Sequence, residues 1–185
     1  MLNMEQLKSG LLDAFTAGAE GDESDAAAEI AAAIVEYASS AEILMLPGPI
    51  LIPAAPPLPS TGQGAMLAVA TADTGKSLLE HSIKNQFAAQ DPTMLILGLA
   101  IQMYVNTSFT VFSAQIGHTA TGATLMVAPP VLAPVVAAGL SGQSAESCAG
   151  LMASIIHMSF KTSMFNGAGI AVDGGLGAVA AQLLI

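Results

Sequence analysis

One proline-dense phrase stands twice in the chain and limits what it can fold into. Residues 44–53 read LMLPGPILIP and residues 125–134 read LMVAPPVLAP. The two share Leu44/Leu125, Met45/Met126, Pro49/Pro130, Leu51/Leu132 and Pro53/Pro134, with Ile50 and Val131 exchanged conservatively. A proline ring fixes φ and removes a backbone donor, so such a phrase fits neither a helix interior nor a central strand. Each copy reads as an extended, apolar arm. Six prolines (Pro47, Pro49, Pro53, Pro56, Pro57 and Pro59) crowd residues 46–60, a polyproline-like density.

Helical patterns precede both arms. Leu7, Leu11 and Phe15 recur at i, i+4 and i+8 and predict an amphipathic helix over Leu2–Gly18. After the acidic turn 18–25, with Ser24 or Asp25 as cap, an alanine-rich helix is expected over Ala26–Met45, stopped by Pro47. Thr61–Thr74 reads as a glycine turn and then a short strand or helix start. Leu79, Ile83 and Phe87 repeat the first stripe within a helix over Gly75–Gln90. Asp91 and Pro92 then read as cap and first residue of a helix reaching Phe112. Its Leu97, Ala100, Ile101 and Tyr104 match Ile30, Ala33, Ile34 and Tyr37 after a shift of 67 residues.

Residues 113–124 (SAQIGHTATGAT) read as a Gly/Thr loop or hairpin, and the second arm follows. Val131–Gly142 is a short apolar segment, helical after Pro134. Ser144 is placed to cap a helix over Ala145–Phe165. Asn166–Gly177 carries glycine-rich turn chemistry, and Ala178–Ile185 is an uncharged apolar tail expected to dock on a core or a neighbour. The expected fold class is mainly α. It consists of duplicated helix–turn–long helix units with extended proline-rich arms and room for short β-hairpin segments. The expected organisation is a single domain, 1–185, with units at about 1–74 and 75–142 and a degraded third at 143–185.

Composition narrows the function. With 14 acidic residues against four Lys+Arg, the net charge is −10, which argues against nucleic-acid binding and against anionic lipid. The hydrophobic fraction is 53% and the charged fraction 10%, against roughly 25% charged in ordinary domains. A chain so poor in charge is expected to cover much of its surface with partners. The lone Cys148 excludes an internal disulfide and reads as a small buried hydrophobe. Met1-Leu-Asn-Met-Glu-Gln has no positive n-region, so no signal peptide is expected. No charged residue falls between Pro92 and Ala145. That stretch nevertheless carries Gln102, Asn106 and several hydroxyls, lacks basic flanks and is broken by prolines. It reads as a buried or interfacial helix rather than a bilayer span.

No motif completes a catalytic or binding pattern. Gly75-Lys76-Ser77 ends like a phosphate loop, but Ala70 stands where the first glycine belongs, so a helix start capped by Thr74 is the plainer reading. Gly167 and Gly169 are followed by Val172 where a dinucleotide fingerprint needs glycine. His81, His118 and His157 have no ligand-spaced partners. There is no G-x-S-x-G elbow. Asn106-Thr-Ser108 is a formal sequon within a helix. The acidic run 20–25 lacks the spacing of a calcium loop. No catalytic residue, cofactor or metal ligand is assigned.

Glu29–Ser40 (EIAAAIVEYASS), followed by a Pro/Gly-rich extension, resembles small structural proteins of tailed-bacteriophage virions found near the neck, tail or baseplate. Ala100-Ile101-Gln102-Met103-Tyr104, Thr107-Ser108 and Val127-Ala128-Pro129-Pro130 look similar. The likeness is compositional. It implies a non-enzymatic virion component, assembled in the host cytoplasm, that joins copies of itself and other virion proteins in a ring or sleeve. The arms would be the interface, through Leu44, Met45, Pro49, Leu51, Pro53, Leu125, Met126, Pro130, Leu132 and Pro134. Stiff arms lose little entropy on docking. Two alternatives stand beside this reading: a holin-like membrane pore, and a small enzyme or ligand-binding domain with a pocket between the copies.

Overall fold

The computed structural model describes residues 2–19, 21, 23–45, 65–71, 73–115, 118–170 and 176–183, the strands by their backbone path. The chain is mainly helical. Among the described residues it forms α1 (Met4–Ala19), α2 (Glu23–Ser39), β1 (Glu42–Met45), β2 (Ala65–Thr71), α3 (Asp73–Ala89), α4 (Leu95–Ser108), β3 (Phe109–Gln115), β4 (His118–Leu125), α5 (Ala133–Leu140), α6 (Ala145–Lys161), β5 (Met164–Ile170) and β6 (Leu176–Leu183). Two helices followed by two strands occur three times in this order.

The six strands pair antiparallel in sequence order, β1 to β6. The sheet curves enough to bring β1 near β6. The helices form a row, α5–α6–α1–α2–α3–α4, each packed on the next, with α5 and α4 at its ends.

The stripes seen in the sequence form the core. Leu7, Leu11, Leu79 and Ile83 are buried, with Phe15 and Phe87 partly buried beside them. Ile30, Ile34 and Tyr37 of α2 are buried, and so are the matched Leu97, Ile101 and Tyr104 of α4. Complete burial of such a side chain stabilises by roughly 1.5–3 kcal/mol. Gly10 allows α1 and α2 to approach closely, because a Cβ there would lie 2.7 Å from Cβ of Ala33. Tyr37 joins α2 to α6. Its ring meets Phe160 edge-on at 5.3 Å, and its Oη lies 2.6 Å from Nδ1 of His157.

Several boundaries differ from expectation. The helix expected over Ala26–Met45 starts at Glu23 and ends at Ser39. Ser39 and Ser40 hydroxyls donate to the carbonyls of Val35 and Tyr37, which closes the helix before Pro47 is reached. Residues 42–45 pair as β1 instead. The helix expected up to Phe112 stops at Ser108, where Phe109, Thr110 and Val111 favour a strand. It also starts later than Pro92. Asp91 accepts from the backbone N of Thr93 and Leu95, so the first turn opens at Leu95. Buried Gln86 ties the turn to α3: its amide donates to the Asp91 carbonyl and accepts from Leu97 N.

The helix expected up to Phe165 ends at Lys161. Ser144 caps it as expected, accepting from Ser147 N. Of the residues expected as turns over 166–177, 166–170 belong to β5 and 176–177 open β6, and 178–183 of the apolar tail continue β6 along β5. The Gly/Thr segment is the β3–β4 hairpin. The short helix α5 begins at Ala133 and has 8 residues, against 16 and 17 in α1 and α3.

Candidate interaction surface

The two proline phrases occupy different places in the fold. The first begins in β1 with Leu44 and Met45 and continues between β1 and β2. Pro49, Leu51 and Pro53 lie outside the described residues. The second begins at Leu125, the last residue of β4, and leads into α5. α2 and α4 match at a shift of 67 and the phrases at 81, and the strands between account for the difference.

The second phrase lies along α4. Gln102 donates from Nε2 to the carbonyls of Met126 and Val127, at 3.0 and 3.2 Å. Asn106 accepts the Met126 N–H at Oδ1, at 2.7 Å, and its Nδ2 lies 3.4 Å from the same residue's carbonyl. At the other end Gly98 lets the chain come close, since a Cβ there would lie 2.5 Å from the Pro130 carbonyl oxygen. Gly98, Gln102 and Asn106 are spaced by four and form one row along the helix. The amides satisfy backbone groups that an arm rich in proline cannot pair in a ladder.

This docking divides the phrase into two faces. Met126 is 2% exposed and Leu132 is fully buried in this chain's own core, with Pro130 buried beside Gly98. Those three expected interface residues therefore face inward. Leu125 and Pro134 are exposed. The intervening residues point outward, Val127 at 72% and Val131 at 70% exposure. Exposure alternates over Pro130, Val131 and Leu132, while Val127 and Ala128 are both exposed.

The open face continues onto α4. Leu95, Leu99 and Met103 are all exposed. At 100° per residue they form the row next to Gly98, Gln102 and Asn106, on the side away from the core. Periodicity alone could not reveal this, because α4 is apolar on nearly every side. The signal available in the sequence was a comparison with the matched helix: shifted by 67 residues, the same row in α2 reads Ala28, Ala32 and Glu36.

A second feature is an open apolar cleft of about 340 Å³ between the first and second helix pairs, lined by Ala14, Phe15, Gly18, Ala26, Ile30, Phe87 and Met94. A second cleft, between α1 and α6, is lined by residues that include Lys8 and Glu146, whose side chains pair at 2.9 Å. That ion pair raises the lysine pKa and lowers the glutamate pKa, through the hydrogen bond first and the charge second.

The polar candidates stay apart. His81 is exposed on α3, while Glu80 pairs with Lys84. His118 is in β4 and His157 in α6. Cys148 is buried. Thr74 lies inside α3, which opens at Asp73. The described residues contain no group of three or more His, Cys, Asp or Glu able to hold a metal. No helix among them is long and apolar enough to cross a membrane. Comparison with known proteins finds no matching family model, no matching curated protein and no matching solved structure.

Proposed function

We propose that this protein is a non-enzymatic structural subunit of a bacteriophage virion, built of internally repeated helical units. It would join copies of itself and other virion proteins through apolar surfaces and proline arms, without a cofactor. The observation that carries this reading is the uncharged, outward apolar face of Leu95, Leu99, Met103, Val127 and Val131. Large apolar side chains clustered at a surface mark interaction sites, and residues 92–145 supply no charge to hold water there. The phage assignment itself comes from the sequence resemblance and from composition.

Deleting residues 47–59 and weighing the particles by native mass spectrometry, with and without detergent, tests the proposal. Full-length protein is expected as a defined oligomer in buffer, and the deletion variant as a monomer of unchanged helicity. An unchanged oligomer after the deletion would remove the arms from assembly. A full-length monomer at micromolar concentration would overturn the assembly reading.

The cleft between the helix pairs favours a second reading, a small domain that binds an apolar ligand. Its matched Phe15 and Phe87 flank a space large enough for a small molecule. A fluorescent apolar probe displaced by Ile30→Trp would support that reading, and equal probe binding by both proteins would reject it.

A further inference from the structure

We infer that the outward stripe of α4, with Val127 and Val131 beside it, seats the proline-rich segment 46–59 of a second copy of this chain. The inference rests on the assembly reading above and names its contact.

The phrase has a demonstrated way of lying on this helix. Residues 126–130 run along α4 and are held through their backbone by Gln102 and Asn106. The first phrase carries the same Leu-Met, Pro, Leu and Pro positions. The second phrase occupies Gly98, Gln102 and Asn106, so an arm on the neighbouring outward stripe meets the apolar side chains of Leu95, Leu99, Met103, Val127 and Val131.

The segment has reach. Met45 and Ala65 are paired across β1 and β2, so residues 46–64 leave and rejoin the sheet at one point. Nineteen residues going out and back extend at most about 30 Å. That is enough to bridge two adjoining molecules.

The chemistry of the two surfaces agrees. No charged residue occurs from Ile43 to Ala72, or from Pro92 to Ala145. Bringing the surfaces together strips no ion of water. Area points the same way. The five exposed side chains present on the order of 500 Å², within the range of the largest apolar patch on an ordinary monomer and short of the roughly 800 Å² per partner typical of a stable interface. An arm bearing Ile50, Leu51, Ile52 and Leu58 adds apolar area of the kind that is missing. If every copy gives one arm and receives another, the buried area doubles.

Two measurements decide this. Leu51→Cys and Leu99→Cys are made separately and together, with Cys148 left in its buried place. Under mild oxidation the double variant should form covalent species of two or more chains. A mixture of the two single variants should form a covalent dimer containing one of each. Leu99→Glu should weaken association at least tenfold. A disulfide closing only within one chain would show the arm sealing its own α4 and would overturn the inference. So would the absence of any cross-link with Ile50→Cys, Leu51→Cys and Ile52→Cys alike, combined with unchanged association in Leu99→Glu. If deleting 47–59 dissociates the oligomer while Leu99→Glu does not, assembly through the arms stands and this seat falls. A full-length monomer removes both.

Discussion

Replacing Gly98 by alanine tests the docking of the arm through the sign of its effect. In an ordinary helix position, Gly→Ala stabilises by up to about 1 kcal/mol, because alanine loses less backbone entropy. At Gly98 the added Cβ would sit 2.5 Å from the Pro130 carbonyl oxygen and 3.6 Å from Cβ of Pro129. Ordinary contact needs almost another ångström, and the obstructing atom is backbone, not a flexible side-chain end. Overpacking of this kind costs roughly 1–3 kcal/mol. Moving the arm also strains the amide bonds from Gln102 and Asn106. The propensity gain offsets part of this, leaving a net loss of about 1–2 kcal/mol. For a chain of this size that lowers Tm by roughly 2–8 °C. Gly150, in α6, is the control. A Cβ there meets only Lys8 side-chain carbons at 3.7 and 3.9 Å, so Gly150→Ala should raise stability by about 0.5–1 kcal/mol. Urea unfolding followed by circular dichroism measures both. If Gly98→Ala is as stable as the parent, the close approach of arm and helix is wrong.

The other end of the clamp gives a second test. Asn106→Ala leaves the N–H of buried Met126 without its 2.7 Å acceptor, at a cost of about 1–3 kcal/mol. The Met126 amide should exchange with deuterium markedly faster, and unchanged protection would contradict the geometry. A third test concerns pH. Burial, and then the charge of Lys161, hold the His157 pKa below its ordinary value. The unfolded state therefore takes up the proton first, near pH 6.5. Stability contributed by the neutral ring, hydrogen-bonded to Tyr37, is complete above that pH and is lost as pH falls below it. Between pH 7.5 and 5.5 the parent should lose stability and His157→Gln should lose less. Equal slopes would show that the ring is not the titrating group.

Much of the helical layer was legible in the sequence, because an i, i+4, i+8 stripe states both the element and its buried face. Leu7 and Leu11 in α1, and Leu79 and Ile83 in α3, stand where their spacing put them. The strands were harder to see. Residues 164–170 (MFNGAGI) and 176–183 (LGAVAAQL) are rich in glycine and alanine, which carry turn and helix signals. Their pairing in an antiparallel meander is a long-range fact that no local window contains. The helix ends were missed for a local reason: serine and threonine hydroxyls bond back to the last carbonyls and stop α2 and α6 before a proline or glycine does. The open face was hidden by composition. In an almost uniformly apolar helix, Leu97 and Leu99 look alike, yet one is fully buried and the other exposed.

The repeated phrase first suggests that one structural part was copied with its unit. The topology argues for a different economy. A proline-rich segment cannot satisfy its backbone by pairing with strands, so wherever it stands it needs a surface that accepts carbonyls and offers apolar grooves. The second phrase has such a surface within the chain, made by two amides and one glycine on α4. The first phrase starts in β1, where Leu44 and Met45 pair with Met66 and Ala65. Its matched helix has Val35 and Ser39 in place of those amides and carries alanines and Glu36 on the row where α4 carries Leu95, Leu99 and Met103. Nine of the 14 acidic residues also fall before Ile43, whereas the face on α4 belongs to a stretch without charge. Copies of a chain with net charge −10 repel one another at long range. Contact between them is least opposed where both partners are uncharged, as the outer face of α4 is.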